Sequence, residues 1–518
     1  MGERGAGQQV RRARASGGRA KHEPLAQPLF GIGRSREPHA LFILSTIQRQ
    51  GVLHAIQRLT QTGDIAMAEN AEPTAANAQF FAINFNELIV EIANDRLRRG
   101  QADGRVGHAG VFPRIVSDID CDLQVSDSDD NRFATGCKLV FRKGAVVTEP
   151  STEIGIGILG GGYMGKAHSV AMASVGAVFD TALRPRLEMI CASTPESAER
   201  YRAAFGFARA TDDWRVLVQD PRVEAIVIAT PQSTHREIAE AAFALGKPVL
   251  CEKPMGADLA DAEAMVAAAE GSGTANMVGY NYIRTPASQF ARKLISDGVI
   301  GDVTWFRGEH TEDFLADPKA PATWRTDGMA NGTMGDLAPH MINAALALIG
   351  PIDSLIAEAE TVHKTRPGGE VTNDDHAQIM CRFANGTMGH MFFSRIATGR
   401  KMGYAYEITG TKGAIRFDQE DQNAIWLYKM SDDEAERGFR KILTGPAHPD
   451  YEPFCQGPGH GTGYQDQIII EARDFLDAIH SGQPVWPTFR DGLDVARIVH
   501  TALASAQTRS WLNIHPKG

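Results

Sequence analysis

The sequence of 518 residues has few cysteines and no long apolar run. A helix that crosses a membrane needs about 18 or more consecutive apolar residues. No stretch approaches this, so a membrane-spanning protein is not expected. The six cysteines lie far apart and form neither a CxxC pair nor a metal-ligand spacing with histidine. This pattern excludes a disulfide-rich secreted scaffold and a zinc ribbon, and we expect a reduced, cytoplasmic setting.

Positive charge is also in deficit. The chain has 53 Lys and Arg residues against 63 Asp and Glu residues, which leaves a net charge of −10. A general nucleic-acid binder needs clustered cations that neutralise phosphates. We therefore expect a small-molecule substrate as the partner, and neither nucleic acid nor a membrane.

Hydrophobic patterning divides the chain at about residue 150. Between residues 154 and 279, apolar strand-like runs alternate with helix-like segments, which is typical of βαβ units and a parallel sheet. After about residue 300, strand-like runs meet at turns at 385–386 and 411–412, and two helices follow. We predict an α/β protein with a doubly wound Rossmann domain at 151–278 and an α+β domain with a large, mostly antiparallel sheet at 279–518.

A glycine-rich turn lies between the first predicted strand and the first predicted helix. Gly160, Gly162 and Gly165 fit the pattern GxGxxG. In that pattern the glycines permit a tight turn, close approach of the backbone to a pyrophosphate, and tight helix–strand packing. The start of the helix then faces the phosphates. We infer a dinucleotide site that also includes Tyr163 and Met164.

The end of the second predicted strand bears on the choice of cofactor. It reads CAST at 191–194 and lacks the carboxylate that would bind a ribose 2′-hydroxyl. Ser193 could instead bind a 2′-phosphate, with Arg200 or Arg202 in reach. The alternative is that both arginines lie on a solvated helix face. The cofactor is therefore expected to be NAD or NADP.

Lys253 follows another predicted strand, at the carboxyl edge where open α/β sheets bind ligands. A lysine at this edge can lie beside a nicotinamide ring and stabilise an alkoxide. The alternative interpretation is a solvated loop lysine.

Asp336 and His340 are four residues apart and would share one face of a helix that begins here. A carboxylate that orients an imidazole, which ordinarily titrates near neutral pH, makes a general base. The alternatives are a helix cap with a packed histidine, or half of a metal site. No convergent His, Cys and Asp set accompanies the pair in the sequence, so we expect no metal.

Together these motifs resemble the glucose–fructose oxidoreductase/inositol dehydrogenase (Gfo/Idh/MocA) family over about residues 153–514. The motifs that carry the resemblance are GGGYMGKAH at 160–168, ATPQSTH at 229–235, CEKPM at 251–255, GYNYIRTP at 279–286 and GTMGDLAPH at 332–340. Residues 305–325 and 437–449 are most similar to levoglucosan dehydrogenase-like members.

The resemblance implies functional roles at the matching positions. The implied catalytic residues are Lys253, Asp336 and His340. The implied cofactor contacts include Thr230, Pro231, His235, Glu252 and Lys253. The implied substrate contacts are Tyr282, Arg284, Trp324, Arg325, Asp336 and His340. Two positions depart from the family pattern: Ala192 stands where an acidic residue is frequent, and Asn343 where aspartate is common.

The resemblance also implies an activity. We expect an NAD(P)-dependent dehydrogenase that acts on a secondary hydroxyl of a sugar, inositol or anhydrosugar and assembles as a homo-oligomer, a dimer or tetramer. One alternative is an NAD-dependent glycoside hydrolase of the same fold. The other is a non-catalytic nucleotide-sensing protein, which would usually lack the lysine or the histidine.

The first 150 residues have no counterpart in the resemblance and carry no assignable site. Residues 1–60 contain ten Lys and Arg residues against three acidic residues, and residues 81–99 could form one amphipathic helix. We expect either a gene start placed too early, with Val147 as the alternative first residue, or a disordered tail. The rival interpretation is a regulatory extension.

Overall fold

The computed structural model describes residues 152–514. The expectations for residues 1–150, including the helix at 81–99 and the start at Val147, lie outside the described residues. Within residues 152–514, no helix is both long and apolar enough to cross a membrane.

Strands and helices alternate in the first part of the described chain, as the sequence predicts. The strands are β1 (Thr152–Leu159), β2 (Leu183–Cys191), β3 (Arg209–Thr211), β4 (Ala225–Ile228), β5 (Val249–Glu252) and β6 (Asn276–Gly279). The helices are α1 (Tyr163–Val178), α2 (Pro195–Phe205), α3 (Trp214–Gln219), α4 (His235–Ala244) and α5 (Leu259–Ser272).

These strands form one parallel sheet in the order β3-β2-β1-β4-β5-β6. Helices cover both faces of such a sheet, so side chains on both faces of each strand are buried. This is why the strands are continuous apolar runs in the sequence. All four residues of β4 and all four of β5 are buried. The Rossmann prediction is confirmed, and the candidate motifs begin where β1, β2, β4 and β5 end.

The second part of the chain is built around a larger sheet. Its helices are α6 (Pro286–Ser296), α7 (Thr333–Asp336), α8 (Ala338–Leu348), α9 (Tyr464–Ser481) and α10 (Phe489–Thr508). Its strands are β7 (Val303–Thr311), β8 (Ile352–Glu360), β9 (Thr365–Arg366), β10 (Gly369–Glu370), β11 (His376–Phe383), β12 (Met388–Ser394), β13 (Gly403–Gly410), β14 (Gly413–Asp418), β15 (Ala424–Lys429), β16 (Arg440–Leu443) and β17 (Leu512–Asn513).

Nine of these strands form a sheet in the order β16-β15-β14-β13-β7-β12-β11-β8-β17, and β9 pairs with β10. Neighbours in the large sheet are antiparallel except β7 and β12, which are parallel. The expected mostly antiparallel sheet is confirmed. The turns at 385–386 and 411–412 join β11 to β12 and β13 to β14, as predicted.

Helix α9 links the second part of the chain to the first. Its apolar residues Ile468, Phe475 and Leu476 join the same buried cluster as Ile156 of β1 and Met172 of α1. The helix therefore covers one face of the parallel sheet and brings polar residues of the second part beneath the turn after β5.

Candidate active site

The three glycines of the turn after β1, Gly160, Gly162 and Gly165, each meet a different structural requirement. Gly160 has a φ of +96°, a conformation that residues with a side chain rarely adopt. A Cβ atom at Gly165 would lie 1.9 Å from the carbonyl oxygen of Gly160, so this glycine permits α1 to pack on the turn. At Gly162 a Cβ atom would meet nothing within 4 Å. The turn thus leaves open space at its second glycine.

The start of α1 is suited to an anion. Gly162 is its N-cap, with no side chain that caps the helix and no acidic residue in the first turn. The backbone N–H groups there carry partial positive charge, as at other phosphate-binding helix starts. Tyr163 is exposed and stacks on Tyr464 at 5.8 Å between ring centroids, and the Tyr464 hydroxyl donates to Met164 Sδ at 3.2 Å. The open glycine and the uncapped helix fit a dinucleotide pyrophosphate.

The end of β2 has a source of negative charge that sequence analysis missed. The Ala192 N–H donates to the Thr211 carbonyl at 3.2 Å, so β3 ends beside it and Asp212 and Asp213 follow. Burial, and then the charges of Asp213 and Asp212, raise the pKa of Cys191 to about 12. The carboxylates near the end of β2 therefore belong to residues that follow β3. The sequence alone does not indicate them, because their position depends on the pairing of β2 with β3.

The two arginines considered for a 2′-phosphate have other contacts. Arg202 donates to both carboxylate oxygens of Glu199 at 2.7 Å. The Arg200 guanidinium lies over the Tyr201 ring, 4.8 Å from its centroid. Ser193 is exposed at the end of β2.

His235, which is predicted as a cofactor contact, has both ring nitrogens close to backbone carbonyls of the protein. Its Nδ1 lies 3.1 Å from the Pro254 carbonyl oxygen and 3.2 Å from that of Met255, and its Nε2 lies 2.8 Å from that of Thr230. The ring is buried, and both nitrogens face backbone carbonyls. His235 therefore joins the turn after β4, formed by Thr230 and Pro231, to the turn after β5.

Lys253, Asp336 and Arg325 form a chain of ion pairs. Lys253 Nζ donates to Asp336 Oδ1 at 2.8 Å and to the Asp336 carbonyl at 3.0 Å, and Arg325 Nη1 donates to Asp336 Oδ2 at 2.9 Å. Burial by itself would raise the pKa of Asp336, but Lys253 and then Arg325 hold it below its usual value. Asp336 is therefore a carboxylate that fixes the lysine ammonium in place.

The prediction that Asp336 pairs with His340 is wrong, because Asp336 pairs with Lys253 and Arg325. Helix α7 ends at Asp336, and a new helix, α8, begins at Ala338 with Pro339 in its first turn. Both carboxylate oxygens of Asp336 are occupied by the two cations. Among the described residues no hydrogen bond joins Asp336 to His340. The carboxylate therefore orients the Lys253 ammonium and does not orient the His340 imidazole.

His340 lies in an aromatic cluster. Its ring centroid is 4.5 Å from that of Tyr282, 5.5 Å from that of His310 and 6.0 Å from that of Tyr280. Its Nδ1 is buried and has no hydrogen-bond partner among the described residues. Burial, and then the charges of Lys253 and His310, hold the pKa of His340 well below 6.5. The expectation of titration near neutrality is therefore corrected, and the imidazole is uncharged at neutral pH.

Two further members of the aromatic cluster were missed by sequence analysis. His310 Nδ1 lies 3.0 Å from the Leu337 carbonyl oxygen and its Nε2 lies 3.1 Å from Glu312 Oε1. Tyr404 packs on Tyr282 at 5.2 Å between centroids, and its buried hydroxyl has no partner in the described part of the chain. In the sequence, His310 and Tyr404 are marked only by their position at the ends of strand-like runs. Polar and aromatic residues are common at such positions, so this signal does not indicate a functional site.

Arg284, which is predicted as a sugar contact, is held by buried partners within the protein. It is buried, and it donates to Asp474 Oδ2 at 3.1 Å, to the Tyr280 carbonyl at 3.2 Å and to the Trp486 carbonyl at 3.3 Å. Trp324 is exposed, with the Arg325 guanidinium 4.5 Å from its ring centroid. Arg325 therefore lies beside Asp336, whereas the donors of Arg284 are directed to other groups of the protein.

Comparison with known proteins places this geometry in a family. Residues 154–280 match the oxidoreductase family with an NAD-binding Rossmann fold, and residues 288–416 match the GFO/IDH/MocA C-terminal domain. Levoglucosan dehydrogenase of Pseudarthrobacter phenanthrenivorans is 38% identical over 383 residues, which cover 70% of this chain and 98% of that protein. The chain belongs to the GFO/IDH/MocA oxidoreductase family.

Other relatives agree with this membership. Inositol 2-dehydrogenase of Rhizobium meliloti is 26% identical over 364 residues, 69% of this chain and 98% of that protein. A solved levoglucosan dehydrogenase in complex with NADH and levoglucosan is 39% identical, with a TM-score of 0.69 over 71% of this chain and all of that chain. The chain is an NAD(P)-dependent oxidoreductase, as the sequence predicted.

Behind Lys253, this oxidoreductase buries a second group of ionisable residues. His168 Nε2 lies 2.7 Å from Glu252 Oε1, and the Lys253 N–H donates to Glu252 Oε2 at 3.2 Å. Glu252 thus fixes the backbone of Lys253. Glu471 of α9 is fully buried, and neither of its carboxylate oxygens has a hydrogen-bond partner among the described residues. Burial raises the pKa of Glu471 to about 7.

No metal site accompanies these residues in the described part of the oxidoreductase. Across residues 152–514, His, Cys, Asp and Glu side chains do not come together in a group of three or more that could hold a metal ion.

The glycine turn can be tested by one substitution that spares the fold. Gly162→Val is expected to abolish NADH binding with little change in Tm, because a side chain there enters the open space of the cradle, where its Cβ atom meets nothing within 4 Å. Fluorescence titration with NADH and thermal denaturation measure the two effects. Gly271→Val, at another open glycine on α5, is the matched control and should bind NADH normally. Unchanged NADH affinity in Gly162→Val would contradict the site.

Glu471 is expected to make stability depend on pH. The unfolded chain releases this proton near its usual pKa of 4.5, whereas the folded chain keeps it up to about pH 7. Wild-type stability therefore falls as the pH rises through that interval. Glu471→Gln cannot ionise, so its Tm relative to the wild type should be higher at pH 8 than at pH 5. The exposed Glu263→Gln is the control, and equal differences at both pH values would contradict the burial of an acid.

Proposed function

We propose that the enzyme oxidises a secondary hydroxyl of a cyclic sugar, inositol or anhydrosugar, or catalyses the reverse reduction. The observation that carries the proposal is the combination of a fixed ammonium and an uncharged imidazole. Lys253 is held by Asp336, and its charge is close enough to His340 to depress the pKa of that imidazole. An alcohol dehydrogenation needs both a proton acceptor and a positive charge for the alkoxide.

The residues divide this work as follows. His340 accepts the hydroxyl proton on a ring nitrogen, since the ring is uncharged and its Nδ1 has no hydrogen-bond partner among the described residues. Lys253 stabilises the developing alkoxide oxygen, and Asp336 keeps the ammonium in position. Bound NAD supplies the acceptor for the hydride that leaves the carbinol carbon. The products are a carbonyl group, the reduced cofactor and a protonated His340.

Features of the aromatic cluster support an uncharged cyclic substrate. Tyr282 is the partly exposed ring of this cluster and can meet the C–H face of a sugar ring, while the buried rings of His310, His340 and Tyr404 pack against it. Arg325, the arginine beside them, is already paired with Asp336, so its charge is not free to select a phosphorylated sugar. The dehydrogenases named above act on uncharged cyclic substrates. We therefore propose levoglucosan as the first substrate to test, followed by myo-inositol.

The two alternative functions lack such support. A non-catalytic nucleotide sensor would not need Lys253 and His340 to be kept side by side. The relatives named above are dehydrogenases and not glycoside hydrolases. We therefore do not propose either alternative for this chain.

The proposed base can be tested with levoglucosan and NAD, following NADH absorbance. His340→Ala is expected to lower kcat by on the order of 10²–10⁴-fold, since a positioned base contributes about that much, with NADH affinity unchanged. The exposed His480→Ala should keep wild-type turnover. A loss of less than a few-fold in His340→Ala would contradict the assignment.

The pH profile provides a second test of His340. Only the neutral imidazole accepts a proton, and its pKa is held well below 6.5. The wild-type rate of oxidation should therefore be constant through pH 7 and fall only well below pH 6.5, as the ring becomes protonated. This acid limb should be absent from the residual activity of His340→Ala. A wild-type limb centred near pH 7 would contradict the buried, unpartnered ring.

We also propose that the enzyme prefers NAD to NADP. Asp212 is exposed beside the end of β2, where its charge would repel a 2′-phosphate. Asp212→Asn is expected to increase the affinity for NADPH relative to NADH, as measured by fluorescence titration with each cofactor. Glu196→Gln, which removes an exposed carboxylate from the first turn of α2, is the control. An unchanged ratio of affinities in Asp212→Asn would overturn the role of that carboxylate.

A further inference from the structure

A buried polar cluster lies behind Arg325 and has no part in the mechanism above. It consists of Asn373, Asp374 and Asp375, which precede β11, and Arg395, which follows β12. All four residues are buried, with Arg395 only 2% exposed. A buried guanidinium is costly unless its donors are satisfied, so the contacts of Arg395 show what the cluster holds.

Arg395 satisfies its donors with two side chains and two backbone carbonyls. Its Nε donates to Asp375 Oδ1 at 3.0 Å and its Nη2 donates to Asn373 Oδ1 at 2.6 Å. Its Nη1 donates to the carbonyl oxygens of Arg325 at 2.8 Å and Asn331 at 3.1 Å. The cluster therefore grips the backbone of the segment that carries Arg325.

Asn373 holds the same segment a second time. Its Nδ2 donates to the Arg325 carbonyl at 3.0 Å and to the Gly328 carbonyl at 3.0 Å. The Arg325 carbonyl oxygen thus accepts from two side chains of one buried cluster. The backbone of Arg325 is thus fixed although its own side chain is partly exposed.

The cluster also holds the start of α7, the helix that ends at Asp336. The Met334 N–H donates to Asp374 Oδ2 at 2.8 Å. The Thr333 hydroxyl donates to the carbonyl oxygens of Asp374 at 3.1 Å and Asp375 at 2.9 Å. Both members of the Arg325–Asp336 ion pair are therefore attached to one rigid group.

We propose that Asn373, Asp375 and Arg395 are positioning residues for the Arg325–Asp336 pair and, through Asp336, for the Lys253 ammonium. An ion pair that includes a side chain as exposed as Arg325 is weak by itself. Its geometry must then come from the backbone at both ends, and the cluster provides this. The proposal rests on the function proposed above, since it assigns these residues to the support of the same site.

Asn373→Ala removes both hydrogen bonds that Asn373 donates to the loop. We expect kcat/KM with levoglucosan and NAD to fall about 10- to 100-fold, as small displacements at a reacting centre can cost that much, while NADH affinity is unchanged. Asn276→Ala is the matched control. Asn276 also bridges two backbone groups, the Thr274 carbonyl and the Phe489 N–H. It lies at the start of β6, whereas Lys253 follows the end of β5 at the carboxyl edge of the same sheet. Asn276→Ala should retain wild-type kcat/KM.

A double-mutant cycle separates positioning from general destabilisation. If Asn373 acts through Arg325, the losses in kcat/KM from Asn373→Ala and Arg325→Ala should be strongly non-additive. Additive losses would overturn the proposal. Should Asn373→Ala fail to fold, Asn373→Asp keeps the shape and the acceptor for Arg395 but removes both donors, and the same cycle applies.

A crystal structure of the Asn373 variant distinguishes this proposal from the proposed function. Displacement of the Arg325 guanidinium from Asp336 supports the positioning role, and a retained contact near 2.9 Å overturns it whatever the substrate is. If Arg325→Ala has wild-type activity on levoglucosan, the Arg325–Asp336 pair is not needed to hold Lys253 and the positioning role fails, while the proposed dehydrogenase function stands. A displaced Arg325 with unchanged kcat/KM would contradict only the catalytic importance of the pair.

Discussion

The ion pair between Lys253 and Asp336 is the interaction on which the rest of the site depends. It joins the turn after β5 of the parallel sheet to the end of α7, which lies 83 residues away in sequence. An ammonium taken out of water needs a paired charge with good geometry, and Asp336 provides both a carboxylate oxygen and its carbonyl. Glu252 fixes the backbone on one side of the pair and Arg325 binds the carboxylate on the other. A positive charge is thereby kept at the carboxyl edge of the sheet without freedom to move.

Whereas Lys253 keeps its positive charge, burial keeps the His340 imidazole uncharged. The aromatic rings around it exclude water, and the Lys253 charge lies nearby, so the protonated imidazole is disfavoured. The same ammonium keeps the neighbouring ring uncharged and, in the reaction we propose, stabilises negative charge on the alkoxide oxygen. These two consequences of one charge are what a reversible alcohol oxidation requires. Burial has a different outcome at Glu471. Arg284 Nη1 lies 3.8 Å from its carboxylate without a hydrogen bond, and desolvation outweighs that charge and raises the pKa of Glu471 to about 7.

Local patterns in the sequence were sufficient for much of the fold. The apolar runs of the parallel sheet, the three glycines after β1 and the hairpin turns depend on side-chain period and on backbone conformation within a few residues. Residues whose roles depend on distant partners were predicted less well. Arg284 and His235 stand in the expected motifs, yet Asp474 binds one of them and the carbonyls of the turn after β5 surround the other. Nothing near either residue in the sequence indicates these partners.

The sequence by itself determined the order of strands and helices, the nucleotide-binding turn and the residue types of the candidate site, because each is encoded over a short stretch of chain. Tertiary structure alone decided which groups meet. It gave Asp336 to Lys253 and Arg325 in place of His340, and it attached the Arg325 loop to the buried Asn373–Arg395 cluster. It also set the protonation of His340 and Glu471, because desolvation depends on every element packed around a group and not on its neighbours in sequence.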